Sequence, residues 1–347
     1  MARKLPPIPE IAKLADVSTA TVDRVLNHRP GVREKTRLKV EQAVETLLGG
    51  ESGNSRPAMR AASTRIAFLV NSSKFFSADI SALVEEVAKE IGLSPSPSIH
   101  THSFEDPTDL GDRLLEVAAG VEGVVLIGRS SFGVNAAIDR LAAEGKPVVG
   151  ATTDFPEARR TCYVGMDQKA AGRLAGRLLG EMLRDERGSI LMHIGRRSRT
   201  EDDREIGFRS FLREHFPEIE LREIFNKSAT DEEAGALLDG AMDRPTDIPG
   251  AIFTTGGGLH GLASRLKLHQ ATGGTRPFLL GYELLPWSER LLRQGDVDCL
   301  IATNAKSVIR DALHSVIDVV AHGKEVSDKI YAPYLIFPEN LSCLDWS

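Results

Sequence analysis

Four side chains able to make strong, charge-assisted hydrogen bonds stand at or just beyond the ends of apolar, strand-like runs: Asp154, Arg204, Glu283 and Asn304. A pair of aromatics, Phe75 and Phe76, follows another such run. Carboxylates, a guanidinium and an amide suit paired hydroxyls, while aromatic faces suit C–H surfaces, so together they describe a site for a sugar or polyol. Each residue also has an ordinary structural role open to it. Either phenylalanine can sit in a core, Asp154 can cap a turn, Arg204 can pair with Asp203 or Glu205 on its own helix, and Glu283 can be solvated. Their joint placement favours the site. Signatures of catalysis are missing from the sequence: it has no G-x-S-x-G elbow, no Cys/His metal spacing and no Walker glycine loop, and its nine histidines are scattered. No catalytic residue, metal or cofactor is therefore expected.

The elements that must hold these groups alternate from Arg65 onward. Strands are expected at 66–71, 124–128, 147–152, 189–195, 250–255, 278–283 and 299–303. Amphipathic helices lie between them, including 78–92, 133–145, 169–185 and 306–323. Apolar strands separated by such helices predict an α/β architecture with parallel sheets covered on both faces, and ligands in such sheets lie beyond the carboxyl ends of the strands. One motif supports a different function. Gly256-Gly257-Gly258-Leu259-His260-Gly261 fits G-x-G-x-x-G between a strand and a helix, and Glu283 ends the next strand. An NAD-dependent oxidoreductase would explain that glycine run, but three consecutive glycines satisfy the pattern easily.

The N-terminal part is different. IPEIAKLA puts Ile8, Ile11, Leu14 and Ala15 at helical spacing, Asp16-Val17 makes a turn, and the Ser18 hydroxyl suits an N-cap. In the next helix Val22, Val25 and Leu26 share one face, leaving Thr19, Ala20, Asp23 and Arg24 off it. A third helix follows Val32, with Leu38, Val40, Ala43, Val44 and Leu47 on its buried side. Periodicity alone allows either an ordinary helical hairpin or a helix-turn-helix unit. Beyond Leu48, Gly49, Gly50, Gly53 and Pro57 mark a linker.

Charge follows the same division. Residues 1–60 carry 11 Lys/Arg against 7 Asp/Glu, and the remainder carries 32 against 42, giving a net charge of −6 for the 347 residues. A basic head on an acidic body fits a head that meets phosphate. Cys162, Cys299 and Cys343 are odd in number and far apart, which suits reduced thiols in a cytoplasm. No apolar run approaches the roughly 20 residues that span a bilayer, and MARKLPPIPE lacks the apolar core of an export signal, so neither membrane association nor secretion is expected.

The order of residue types is more specific than the periodicity. I-A-x-x-A-x-V-S-x-x-T-V-x-R-V-L-N followed by V-x-x-K-T-R-x-x-V, within residues 8–47, resembles the helix-turn-helix headpiece of the LacI/GalR family of bacterial transcriptional regulators. The remainder resembles the periplasmic-binding-protein type I core that follows this headpiece. IAFLVNSSKFFSADI matches the first strand and the aromatic pair of the ligand cleft. CYVGMDQKAAGRLAG matches the crossing segment, and Arg204, Gly207 and Phe208 match R-x-x-G-F. GYELLPWSERLLRQGDVDCLIAT places Glu283 in the acidic position of G-Y/F-D, and IFPENL looks like the closing strands. Departures are Asp16 for a turn glycine, Asp23 for a small polar residue, and the missing hinge leucine, whose place Met59 or Ala58 would take. Gly256–Gly258 replaces Asn-Asp, which leaves Thr254 or Thr255 for the usual sugar-binding amide.

The resemblance implies a headpiece at 1–48, a hinge or linker at 49–64 and a two-lobed effector and dimerisation domain at 65–347. The N-lobe would take about 65–165 and 303–328, and the C-lobe 166–302 and 329–347. It implies that Thr19, Ala20 and Arg24 face bases, that Ser18, Thr21, Asn27 and Thr36 face phosphates, and that Met59 enters the minor groove. Effector contacts would be Ser73, Phe75, Phe76, Asp154, Arg204, Thr254, Glu283 and Asn304. The expected partners are an operator in double-stranded DNA, a small sugar- or polyol-like effector, and a second copy of the chain in a homodimer or tetramer. A solute-binding protein of a sugar transport system is the alternative that explains the body alone.

Overall fold

The computed structural model describes residues 7–26, 32, 36–37, 39–40, 43, 60–103, 108–184, 188–195, 198–228 and 230–344. It divides into two compact units, Met1–Ser63 and Thr64–Ser347. In the first, α1 (Ile8–Ala15) and α2 (Thr19–Leu26) are joined by a three-residue turn. Asp16 ends α1 in the left-handed region at φ 53°, a conformation that Asp tolerates better than most side chains. Ser18 then caps α2, its hydroxyl accepting from the Thr21 amide at 3.2 Å.

Ile11, Ala12, Ala15, Val22 and Val25 form the core of this unit with Val40 and Ala43, which belong to further helical residues. Ile8 and Leu14, expected on the buried face, are exposed instead. Ala12 occupies the face in their place, because close helix packing favours the small side chain one turn before Asp16. The expected roles of Asn27, Leu38, Val44, Leu47 and Met59, and of the linker glycines, fall outside the described residues.

The second unit begins with β1 (Ile66–Asn71), α3 (Lys74–Glu90), β2 (Ser98–His102), α4 (Leu110–Ala118), β3 (Gly123–Ile127), α5 (Phe132–Ala143), β4 (Val148–Ala151) and β5 (Cys162–Met166). It continues with α6 (Gln168–Leu183), β6 (Ser189–Ile194), α7 (Arg199–His215), β7 (Glu220–Phe225), α8 (Asp231–Ala241), β8 (Ala251–Thr254), α9 (Leu259–Ala271), β9 (Phe278–Tyr282), α10 (Pro286–Arg293) and β10 (Cys299–Ala302). Last come α11 (Ala305–His322), β11 (Lys329–Tyr331) and β12 (Tyr334–Ile336).

Two six-stranded sheets result among the described residues, ordered β11-β5-β4-β3-β1-β2 and β12-β10-β9-β8-β6-β7. All pairs are parallel except β10 with β12. Helices bury both faces of the central strands, so β1, β3, β4, β5, β8 and β10 are buried throughout. Edge strands β2 and β7 have only one neighbour and keep polar, half-exposed residues. β11 pairs with β5, so residues 329–331 belong to the first sheet rather than to the second lobe. IFPENL, expected as closing strand, is mostly a 3-10 turn over Pro338–Cys343, since Pro338 cannot donate to a ladder.

The helix pair α6 and α7 positions the most important side chain of the body. Gly172, Gly176 and Gly180 recur every four residues on α6 and lie against Arg204, Phe211 and Phe216 of the partner helix and its end. A Cβ at Gly207 would stand 2.1 Å from the Lys169 carbonyl oxygen, and one at Gly172 2.0 Å from that of Arg204. Glycine is required at this crossing for close approach alone, and it fixes α7 against α6.

Candidate functional site

The cleft lies where the topology directs it, beyond the carboxyl ends of the strands at the point where each sheet reverses its order, between β1 and β3 and between β6 and β8. Its volume is about 180 Å³. That is below the roughly 300 Å³ at which drug-sized sites begin, and it argues for a compact ligand.

Arg204 lies at the centre, 4% exposed. Its Nε donates to Gln168 Oε1 at 2.7 Å, one terminal nitrogen donates to the Thr255 carbonyl at 3.0 Å, and the other to Glu283 Oε1 at 2.6 Å. The guanidinium also sits 3.8 Å from the centre of the Tyr282 ring, within cation–π range. Neighbouring acids are taken elsewhere: Asp203 by Arg199 and Glu205 by Arg209. Arg204 therefore bridges three elements and does not pair along its own helix. Glu283 reaches it from a left-handed backbone at φ 67°, an uncommon conformation for a residue other than glycine and one that concentrates at functional sites. Gln168 extends the bridge to the other lobe by donating to the Thr152 carbonyl at 3.3 Å.

Ser73, Phe75 and Phe76 line the opposite wall from the start of α3. Phe75 stacks on His260 of α9 with ring centres 5.8 Å apart, closing one side of the cleft between the lobes. The Trp287 amide donates to Asp79 Oδ2 at 3.1 Å, a third tie between lobes. Thr254 is buried below the floor and hydrogen-bonds His193 Nδ1 at 2.9 Å. Burial pushes the His193 pKa down to about 4, so this imidazole stays neutral.

Six of the eight expected effector contacts thus line the cleft: Ser73, Phe75, Phe76, Arg204, Thr254 and Glu283. Asp154 and Asn304 do not. Asp154 is held by the Arg160 guanidinium and accepts from the Phe155 amide at 2.7 Å. Asn304 caps α11, accepting from the Ser307 amide at 2.9 Å. In both cases a partner a few residues away satisfies the side chain before the cleft can, and Asn-x-x-Ser at a helix start is itself a capping signal.

Other cleft residues carry no sequence signal of their own. Buried and without a hydrogen-bond partner among the described residues are Thr200 Oγ1, Glu201 Oε2, Tyr282 Oη and Trp287 Nε1, all from cleft-lining residues. Buried polar atoms are almost always paired, so four unpaired ones on residues that line one cavity suit a site that meets ligand hydroxyls.

On the first unit, Ser18, Thr19, Ala20 and Arg24 are exposed, and Thr21 and Thr36 half-buried. Thr19, Ala20 and Arg24 share the side of α2 opposite Val22 and Val25, so α2 presents a short polar face with a terminal guanidinium.

Comparison with known proteins reaches both units. Residues 7–48 match the model of bacterial regulatory proteins of the lacI family, and residues 115–325 match that of a periplasmic binding protein domain. The chain is 39% identical over 87 residues to the HTH-type transcriptional regulator GalR of Salmonella typhimurium strain SL1344, covering 24% of this chain and 25% of that protein. It is 30% identical over 173 residues to the sucrose operon repressor of Streptococcus mutans, covering 49% and 51%. The chain thus spans a quarter to a half of the length of these relatives. A putative LacI transcriptional regulator from Bacteroides fragilis superposes with a TM-score of 0.70 at 20% identity, covering 81% of this chain and 99% of that one. Among the described residues no helix is long and apolar enough to cross a membrane.

Proposed function

Because the chain belongs to the LacI/GalR family of bacterial regulatory proteins, we propose that it is a cytoplasmic, ligand-responsive transcriptional repressor and not an enzyme. It binds a near-palindromic operator as a homodimer and is controlled by a small sugar- or polyol-like effector in the cleft. One observation carries the reading: an exposed helix face with Thr19, Ala20 and Arg24 stands in the same chain as a cleft with unpaired polar atoms and an aromatic wall. A solute-binding protein would use the second feature and leave the first without a purpose.

The mechanism is two-state. The ligand meets both lobes, Phe75 and Phe76 from one and the Arg204–Glu283 pair from the other, and so binds the closed arrangement better than the open one. Only this difference in affinity can be transmitted to DNA binding. A cleft ligand should also raise the melting temperature by mass action, by about 2.7 kcal/mol of stability at a hundred times its Kd. A screen of neutral sugars, polyols and nucleobases reads this directly.

A single headpiece buries too little surface for tight, specific binding, so two should act together on half-sites about one helical turn apart. Duplexes selected from a random pool by the full chain should converge on an inverted repeat, footprinted on both halves. Convergence on one isolated half-site, with a monomer in solution, would contradict the dimeric model.

A further inference from the structure

Glu201 lies in the first turn of α7, three residues before Arg204, and belongs to none of the networks described above. It lines the cleft, and its Oε2 is buried with no partner among the described residues. The space it occupies is made by glycine. Gly256 has φ 154°, and a Cβ there would come 3.0 Å from Glu201 Oε1. A Cβ at Gly195 would stand 2.0 Å from the Gly256 carbonyl oxygen and 3.5 Å from Glu201 Oε1. The glycine run that fits a dinucleotide motif on paper thus forms a bare turn, and the acid of α7 lies over it.

We propose that Glu201 is a specificity-determining residue of the cleft, with its Oε2 hydrogen-bonding an oxygen of an uncharged, polyhydroxylated ligand. The inference rests on the effector reading above and narrows it to neutral ligands. Among the described residues the carboxyl hydrogen-bonds Ser198 at its own helix start, and the charged groups around it are Arg204 and Asp202 on its own helix; Glu283, which Arg204 holds, lines the same cleft. The loops that face it after β6 and β8 present the backbone of Gly195 and Gly256. Arg204 acts on Glu201 through its charge, its hydrogen bonds going to Gln168, Thr255 and Glu283. A carboxyl so placed favours its neutral form, and burial pushes its pKa up to about 7. As a neutral acid it donates to a ligand oxygen. The unpaired Trp287 Nε1 is a donor only and also requires an acceptor, which a hydroxyl supplies and an ammonium does not.

The sign of the pH dependence follows. If the ligand binds the protonated acid, affinity is full below pH 7 and falls as pH rises through it, by about tenfold between pH 6 and pH 8. The test is titration calorimetry on the full chain with a panel of neutral pyranoses and cyclitols, each beside its amino and uronic acid counterpart, at both pH values. Wild type should prefer the neutral members, weaken about tenfold at pH 8, and take up a proton there in buffers of differing ionisation enthalpy. Glu201→Gln, which keeps shape and neutrality, should lose the pH dependence and hold its affinity at pH 8. Glu201→Ala should bind at least tenfold more weakly at pH 6. If neutral members bind equally at both pH values and equally to all three proteins, Glu201 has no part in recognition and the sugar-cleft reading survives. Tighter binding of the amino counterparts at pH 8 would overturn the proposal, because Glu201 would then act as a carboxylate. If no panel member binds wild type, this proposal and the effector class both fall.

Discussion

Replacing Arg204 by alanine should abolish the response to effector, weakening the cleft ligand by roughly ten- to hundredfold, while operator affinity without ligand stays near that of wild type. Charge-assisted hydrogen bonds are worth about 1.5–3 kcal/mol each, and Arg204 makes one to the Glu283 carboxylate and two more to Gln168 and the Thr255 carbonyl. Alanine leaves these three groups without their donor in a largely buried wall, and Tyr282 without the cation on its face. The side chain thus organises the wall that the ligand meets. Arg204→Lys separates charge from geometry. An ammonium keeps the charge but cannot hold three acceptors in one plane, so it should recover only part of the affinity. Calorimetry giving unchanged effector affinity for a folded Arg204→Ala protein would show that the guanidinium is purely structural.

The second large effect concerns DNA. Arg24→Ala should lose roughly 1–3 kcal/mol on the selected operator, about 5- to 150-fold, and little on random duplex. Arg24 is exposed on α2, on the side away from Val22 and Val25, where a guanidinium can reach guanine O6 and N7 together. Its loss removes base readout and leaves the packing of α2 on α1 intact, since that packing runs through Ile11, Ala15, Val22 and Val25. Equal losses on operator and random DNA, measured by fluorescence anisotropy at one salt concentration, would make Arg24 a phosphate contact instead.

Much of the fold was legible because its signals are local. Continuous apolar runs mark the central strands, and Ser18 stands where a helix begins. β2 and β7 were not legible, because an edge strand need not be apolar. SIHTH and ELREIF keep the polar residues that solvent permits. β5 is fully buried, yet its sequence resembles only a segment crossing between lobes.

The site divides in the same way. Arg204 is marked by R-x-x-G-F and Glu283 by its strand-end position, and the fold joins them across a sequence separation of 79. Asp154 and Asn304 carried the same apparent signal but had near neighbours to satisfy them. Glu201 carries no such signal, for a related reason. Ser198-x-x-Glu201 is the pattern of a capping box, and the carboxyl does bond Ser198 at its own helix start; nothing local tells that it also lines a cavity. Thr200, Tyr282 and Trp287 become site residues only through unpaired atoms, which a sequence does not display.

Coupling between cleft and headpiece is tested most directly by operator affinity of the full chain, measured by anisotropy with and without a saturating monosaccharide or cyclitol that calorimetry places in the cleft. A ligand-responsive regulator should show a change of roughly 5- to 150-fold, equal to about 1–3 kcal/mol of coupling, lost in Arg204→Ala. Identical operator affinity at zero and saturating ligand, with the cleft demonstrably occupied, would contradict it.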